Sequence, residues 1–182
     1  MTPYQLAQAE IGTVEWNNGS NPKVVAYFRD AGHPGVTDDT TAWCAAFVGA
    51  MIKRAGGKPT GSLLARSYLT WGNPVDLKDA REGDIAVFSR GNSTWQGHVA
   101  FFVRENSSTL TVLGGNQSDQ VKLSTYPKSS LLSIRRAAGS QEPPFRNNPP
   151  VPPIPAPPQA SRPTGLFGAL AGIFAALFRK GA

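Results

Sequence analysis

The chain is poor in the residues that form covalent cross-links and metal sites. Its 182 residues include one cysteine, Cys44, and two histidines, His33 and His98. A single thiol excludes an internal disulfide, and these three soft ligands are too few for us to expect a zinc site. We therefore expect neither a bound metal nor a cofactor.

Two further absences bear on location and partners. The first residues carry neither the basic nor the apolar segment of a secretory signal, so we expect synthesis in a cytoplasm without a signal peptide. No acidic residue follows residue 142, and the tail beyond it contributes +4 of the net charge of +6. A basic tail on a nearly balanced remainder indicates an anionic surface as partner rather than a nucleic acid.

Cys44 lies at the predicted start of a helix. The acidic and hydroxyl side chains of residues 38–41 are typical of a helix N-cap, and residues 45–52 are apolar with helical spacing. The unpaired N–H groups and the dipole of a helix start favour a thiolate, so the position suits a nucleophile. The alternative is a buried cysteine that packs as a small apolar side chain.

The order of predicted elements indicates an α+β fold. Helical patterns come first and extended patterns follow, so we expect the helices to pack on one face of a roughly five-stranded antiparallel sheet. We predict helices over residues 3–11, 21–31 and 62–71, and one that has Cys44 in its first turn and ends within residues 53–57. We predict strands over 84–88, 98–103, 109–113, 121–125 and 131–135.

The composition divides the chain into three parts. Ten of the sixteen prolines lie between residues 143 and 163, which predicts an extended, semi-rigid linker. We therefore predict a folded domain over residues 1–140, a Pro-rich linker over 141–163 and a C-terminal helix over 164–182.

Cys44 and His98 are the pair that thiol catalysis requires. An imidazole takes the thiol proton and later protonates the leaving amine, and a third polar group orients the ring. The hairpin that follows the His98 strand leads to Asn116, which we predict in this third role. The alternatives are a histidine bonded to backbone at a strand edge, and an asparagine in a turn that needs positive φ.

Four motifs resemble the NlpC/P60 and CHAP cysteine peptidases, in particular a branch common in phages and alphaproteobacteria. They are WCAAF at residues 43–47, GDIAVF at 83–88, GHVAF at 97–101 and GGNQ at 114–117. The resemblance covers about three-quarters of the chain and implies a papain-like fold that hydrolyses amide bonds of peptidoglycan. It implies Cys44 as nucleophile, His98 as base and Asn116 as orienting residue.

The chain departs from the resembled family at two points. Many CHAP members place a glutamate shortly before the asparagine, where this chain has Gly114, so we assign no fourth member of the site. Some members carry an Asp-rich calcium loop before the cysteine, and Asp38 with Asp39 is too short a version of it.

Three side chains are candidates for a substrate groove: Trp43, Trp95 and Arg90. The alternatives are that Trp43 belongs to the core and that the other two lie on a mobile loop. We expect the backbone N–H of Cys44 to serve as one oxyanion donor. His33 is predicted to be an ordinary exposed turn residue.

The C-terminal segment predicts a membrane-active helix. Its apolar run of about fourteen residues is short for a bilayer span, which needs ~20 residues, so we expect the helix to lie in or partly enter a membrane. The alternative is a helix docked on the protein or used to oligomerise. The predicted membrane-binding residues are Leu166, Phe167, Leu170, Ile173, Phe174, Leu177, Phe178, Arg179 and Lys180.

The first functional hypothesis is a phage-type endolysin. It would be a monomeric cysteine peptidase or amidase that acts on peptidoglycan in the periplasm or cell wall and contacts the membrane through its tail. The second is a non-enzymatic lysis or virion protein that disrupts membranes and carries a wall-binding domain. The third and weakest is an intracellular acyltransferase or deamidase, since family members with such activities are permuted and have their histidine before the cysteine.

Overall fold

The computed structural model describes residues 1–139. The predicted domain boundary at residue 140, the linker over 141–163 and the helix over 164–182 lie outside the described residues and remain predictions.

Three α-helices form the N-terminal part of the domain, and all three were predicted. They are α1 (Pro3–Ala9), α2 (Pro22–Asp30) and α3 (Cys44–Arg54). Thr2 caps α1 in a capping box with Gln5, and the Asn21 side chain caps α2. Both α1 and α2 have a proline in the first turn, where no amide hydrogen is needed for helix hydrogen bonding. The fourth predicted helix is instead the 3₁₀ turn Ala65–Thr70.

The start of α3 differs from the prediction. Its N-cap residue is Trp43, and no side chain hydrogen bonds to the helix start there. The Asp38 carboxylate instead accepts bonds from the backbone N–H groups of Thr40 and Thr41, which closes a separate turn. Asp39 is buried and accepts from the backbone of the α1–α2 loop. The predicted capping side chains do bond to backbone N–H groups, but these groups precede the helix. The first N–H groups of α3 therefore lack a side-chain cap.

A six-stranded antiparallel sheet follows the helices. Its order is β1-β6-β2-β3-β4-β5, so the first strand in the chain, β1, pairs with the last, β6. Five strands were predicted. The additional one is β1, which was missed because Gly72, Asn73 and Pro74 are typical of a turn; the edge of a sheet tolerates its proline. The strands are β1 (Asn73–Val75), β2 (Ile85–Ser89), β3 (Gly97–Glu105), β4 (Thr109–Gly114), β5 (Lys122–Pro127) and β6 (Leu131–Arg136).

The sheet separates two apolar clusters. The larger one lies between the helices and one sheet face, and the smaller lies on the other face. Strand β3 alternates between them: Val99 and Phe101 face the helices, and Ala100 and Phe102 face the smaller cluster. Because the period is two, His98 belongs to the face of the smaller cluster.

The described residues contain no helix of the length and apolar character that crossing a membrane requires.

Candidate active site

Cys44 is the first residue of α3, as predicted. Nearby backbone N–H groups lower the pKa of its thiol, and the largest of these contributions comes from Val99 on strand β3. Val99 directly follows His98 in the chain. The packing of α3 on the sheet therefore brings the thiol to the beginning of the strand that carries the imidazole.

The thiol is buried, with 9% of the residue exposed. Burial raises the pKa of Cys44, because removing the sulfur from water penalises its charged form. Backbone N–H groups and the guanidinium of Arg90 act in the opposite direction and lower this pKa, but burial outweighs them. The expectation that the helix start yields a resting thiolate is therefore wrong for this structure.

His98 lies opposite Phe88 at the start of β3, in register with the end of β2. The residue is buried, and its Nε2 lies 3.3 Å from the side-chain oxygen Oε1 of Gln117. The pKa of His98 is lowered to about 4, chiefly by burial and also by the positive charge of Arg90, while the bond to Gln117 opposes both effects. The imidazole is therefore neutral at physiological pH.

The amide of Gln117 has a defined orientation. Its NH₂ group donates to the backbone carbonyls of Gly114, at 3.2 Å, and of Lys122. These two acceptors leave the amide oxygen facing the imidazole, so His98 Nε2 carries the hydrogen and donates it. The other ring nitrogen, Nδ1, then has the free lone pair that a general base needs.

The prediction placed Asn116 on the imidazole, and the structure places Gln117 there. Asn116 is half-buried with φ of +54°, the left-handed conformation that asparagine tolerates better than most residues. This is the turn role that the sequence left open as an alternative. Gln117 belongs to the same GGNQ motif. Which of its two amide side chains reaches the imidazole depends on the backbone conformation of the turn.

The double glycine before this turn has a packing reason. A Cβ atom at Gly115 would lie 2.5 Å from the Trp43 ring and 2.7 Å from the Cβ of Phe47. Such distances do not occur between real side chains, so only glycine allows the turn to approach the start of α3 this closely. The GGNQ motif therefore combines a close approach, a left-handed residue and the bond to His98.

Tyr126 is a neighbour of the imidazole that sequence reasoning missed. Its ring stacks on His98 with centroids 4.9 Å apart and planes 15° from parallel, and it stacks on Phe88 at 4.8 Å and 25°. Burial raises the pKa of the Tyr126 phenol, and negative charge on Cys44 adds to this rise. No local pattern in the sequence points to this contact, since Tyr126 belongs to a strand two places away in the sheet.

Trp43 is a core residue and not a wall of a groove. It is fully buried, donates from its indole N–H to Glu15 at 2.6 Å, and packs against the rings of Tyr27 and Phe47. The predicted substrate contact of Trp43 is therefore wrong, because its side chain is directed into the space between α2 and α3.

Trp95 and Arg90 lie on the β2–β3 loop, residues 90–96, directly before the His98 strand. Trp95 is 63% exposed, and Arg90 is exposed and close enough to influence the pKa of Cys44 and of His98. Their predicted contact with substrate stays a prediction.

Arg66 holds the β2–β3 loop. Its Nε donates to the carbonyl of Gln96 at 2.7 Å and its Nη2 to the carbonyl of Ser93 at 2.6 Å. The hydroxyl of Ser93 in turn accepts from the N–H groups of Trp95 and Gln96. The loop that carries both groove candidates is thus bonded to the 3₁₀ turn Ala65–Thr70.

Within residues 1–139, no group of three or more histidine, cysteine, aspartate or glutamate side chains is arranged to hold a metal ion. His33, the second histidine, is half-buried and bonds to the carbonyl of Gly61. It lies on the loop after α2, so it is not part of the site around Cys44.

Comparison with known proteins finds a family model that matches the segment carrying the site. The family model of the CHAP domain matches residues 36–116, a segment that includes Cys44, His98 and the turn that leads to Gln117. The resemblance to the NlpC/P60 and CHAP superfamily, predicted from four motifs, is confirmed. A search of curated protein sequences found no match.

Several solved structures have a similar chain path. The peptidoglycan hydrolase RipB from Mycobacterium tuberculosis is 17% identical with a TM-score of 0.47, and the match covers 75% of this chain and 63% of RipB. The P60 domain of antigen MAP1272c from M. avium paratuberculosis is 16% identical with a TM-score of 0.42, covering 74% and 96%.

A third structure is RipD from M. tuberculosis, described as a non-catalytic NlpC/p60 domain protein adapted to peptidoglycan binding. It is 17% identical with a TM-score of 0.44, and the match covers 75% of this chain and 98% of RipD.

Proposed function

We propose that the chain is a peptidoglycan hydrolase that cleaves an amide bond of the bacterial cell wall. Cys44 is the nucleophile, His98 the general base and Gln117 the residue that orients the imidazole. One observation carries this proposal: the thiol at the start of α3 lies near Val99, the residue after the Gln117-bonded His98, and Cys44 and His98 both fall inside the segment that matches the CHAP domain.

In the first half of the reaction, His98 Nδ1 takes the proton of the Cys44 thiol. The sulfur attacks the carbonyl carbon of the scissile amide, and the carbonyl oxygen becomes an oxyanion. The backbone N–H of Cys44 donates to this oxyanion, because the helix start has no side-chain cap that would occupy it. The imidazolium then protonates the leaving amine, the C–N bond breaks, and a thioester remains.

In the second half, His98 takes a proton from water, and the resulting hydroxide attacks the thioester carbon. The carbonyl–sulfur bond breaks, the acid product leaves and the thiol regains its proton. Throughout the cycle Gln117 accepts from Nε2, so the same ring nitrogen handles every proton.

The resting site is a neutral pair. The pKa of Cys44 is raised and that of His98 is lowered to about 4, so neither group is charged before substrate arrives. Proton transfer from sulfur to imidazole therefore occurs with attack on the substrate, whose polar groups replace water around the site.

The β2–β3 loop forms one wall of the substrate groove in this proposal. Trp95 offers an exposed aromatic surface to a sugar ring or an apolar side chain, and Arg90 offers a positive charge to a carboxylate of the stem peptide. Arg66 supports this role because its guanidinium bonds to two backbone carbonyls of the loop.

The endolysin role belongs to the proposal as well. The enzyme is made in the cytoplasm of a bacterial host and acts in the periplasm or cell wall, and the basic, apolar segment over residues 164–182 contacts the membrane. The acid-free tail and the Pro-rich segment before it support this role.

Cys44→Ala and His98→Ala test the mechanism. We expect each to abolish the loss of turbidity of purified cell walls, because one removes the nucleophile and the other removes the base. His33→Ala is the matched control, since it removes the other histidine of the chain and should leave the rate near that of the wild type. Mass spectrometry of the released fragments then identifies the bond that is cut. Full activity of Cys44→Ala would contradict a thiol mechanism.

A second candidate is a wall-binding module without catalysis, and the burial of the Cys44 thiol favours it. In that case the wild-type protein and Cys44→Ala should sediment equally with purified walls and release no fragments. Fragments released by the wild type alone would exclude this candidate.

A further inference from the structure

The ring of Tyr126 covers one face of the His98 imidazole. Tyr126 is half-buried near the end of β5, and it stacks on both His98 and Phe88 at under 5 Å with nearly parallel planes. Phe88 and His98 are register partners on neighbouring strands. After Tyr126 the chain continues into β6, where Leu131 pairs with Phe88.

We propose that Tyr126 is a positioning residue that fixes the plane of the His98 ring and excludes water from one face of it. This rests on the proposed role of His98 as the base. Gln117 holds one edge of the ring through Nε2, and Tyr126 holds a face. An edge contact alone allows the ring to tilt about the hydrogen bond, and the stack removes that freedom. Together the two contacts define where Nδ1 points.

The stack also contributes to the burial of the ring, which bears on its charge state. A ring face covered by an aromatic side chain has no water to solvate an imidazolium, and burial is the main reason that the His98 pKa is about 4. Among the charged and titratable groups around the site, Arg90 after β2 acts on His98 in addition to burial, whereas the charge of Cys44 acts on the phenol of Tyr126. Arg90 disfavours the imidazolium, and the Gln117 oxygen favours it.

Proton NMR titration of the full chain tests the proposal. The chain has two histidines, so a His33→Gln variant assigns the two sets of ring signals. In the wild type we expect the His98 signals to titrate near 4 and to be shifted upfield by the ring current of Tyr126. In Tyr126→Ala we expect the midpoint to rise by at least about 1 pH unit, since full burial shifts a pKa by up to ~3–5 units.

Tyr126→Phe is the matched variant, because it keeps the stacked ring and removes only the hydroxyl. It should titrate as the wild type does, and the acid limb of kcat should move upward in Tyr126→Ala alone. Leu123→Ala controls for general loosening of β5, because Leu123 packs on the larger cluster, across the sheet from this stack; it should leave the His98 midpoint in place.

Three results would overturn the proposal. One is an unchanged His98 midpoint in folded Tyr126→Ala, and another is an equal shift in Tyr126→Phe. The third needs no variant: His98 ring signals without an upfield shift in the wild type would show that the stack is absent. These readouts do not depend on turnover, so they distinguish failure of this proposal from failure of the proposed hydrolase activity.

Discussion

In the proposed mechanism, single residues around His98 determine how its ring can act as a base. Gln117 sets the tautomer, and it does so reliably because its own NH₂ group is held by the carbonyls of Gly114 and Lys122. A serine or threonine hydroxyl in this place could rotate and accept or donate, whereas an amide fixed by two acceptors cannot. The residue is 2% exposed, so water does not replace it easily when it is removed.

Gln117→Ala should therefore lower kcat with little change in KM. The buried Nε2–H loses its acceptor, and we expect a loss of about 10²-fold, the lower end of what general acid–base catalysis contributes. The measurement is steady-state digestion of soluble wall fragments, with thermal unfolding as a check on the fold.

Asn116→Gly is the comparison for that prediction. Glycine adopts a φ of +54° without strain, so the turn and Gln117 should stay in place and most of the activity should remain. If Asn116→Gly lost more activity than Gln117→Ala, the orienting role would return to Asn116.

At the scale of elements, the β2–β3 loop is built as a support for the site. Gly97, which joins the loop to β3, has no room for a side chain, since a Cβ would lie 2.7 Å from the Phe88 carbonyl and 3.2 Å from the Arg66 side chain. The arginine thus packs against the start of β3 and also bonds to the loop carbonyls. Its position links the 3₁₀ turn Ala65–Thr70, the loop and the His98 strand.

Arg66→Ala should raise KM for wall fragments more than it lowers kcat. The loop loses two charge-assisted hydrogen bonds, each worth ~1.5–3 kcal/mol, so Trp95 and Arg90 are held less well while Cys44 and His98 stay in place. Arg66→Lys should restore little, because an ammonium group cannot reproduce the two fixed directions of a guanidinium.

Trp95→Ala is the companion variant for Arg66. If the loop acts through its aromatic contact, Trp95→Ala and Arg66→Ala should raise KM to a similar extent, and the double variant should add little. A fall in kcat alone, with KM unchanged, would place the effect of Arg66 on the His98 strand instead of the groove.

At the scale of the whole molecule, we propose that a domain that cleaves the cell wall is followed by a tail that binds the membrane. Phe174→Asp, on the apolar face of the predicted C-terminal helix, should abolish binding to anionic vesicles and leave digestion of purified walls unchanged. Ala176→Asp adds the same charge on the small-residue face and should weaken vesicle binding far less. Vesicle sedimentation and dye leakage are the measurements.

Equal losses in the two tail variants would show that charge, and not an apolar helix face, governs the membrane contact. Unchanged vesicle binding in both would remove the membrane role from residues 164–182. A chain ending at residue 140 that still digests purified walls would show that catalysis needs no tail.

Much of the fold was predictable because its signals are local. Helix starts at Pro3 and Pro22, the apolar strand over residues 98–103 and its hairpin partner depend on side chains that are neighbours in the chain. The helix of Cys44 was predicted for the same reason. The misassigned cap residues and the missed edge strand β1 show the limit, since neighbouring residues favour a turn as readily as a cap or a short strand.

The sequence by itself determined that a thiol stands at a helix start, that a histidine opens a buried strand, and that a Gly-Gly turn follows. Each of these depends on backbone preferences over a few residues. The tertiary structure decided that Gln117 and not Asn116 meets the ring, that Tyr126 stacks on it, that Trp43 is core, and that burial keeps the thiol protonated. These depend on which atoms from distant segments share one small volume and on how much water is excluded from it, and no local pattern encodes either quantity.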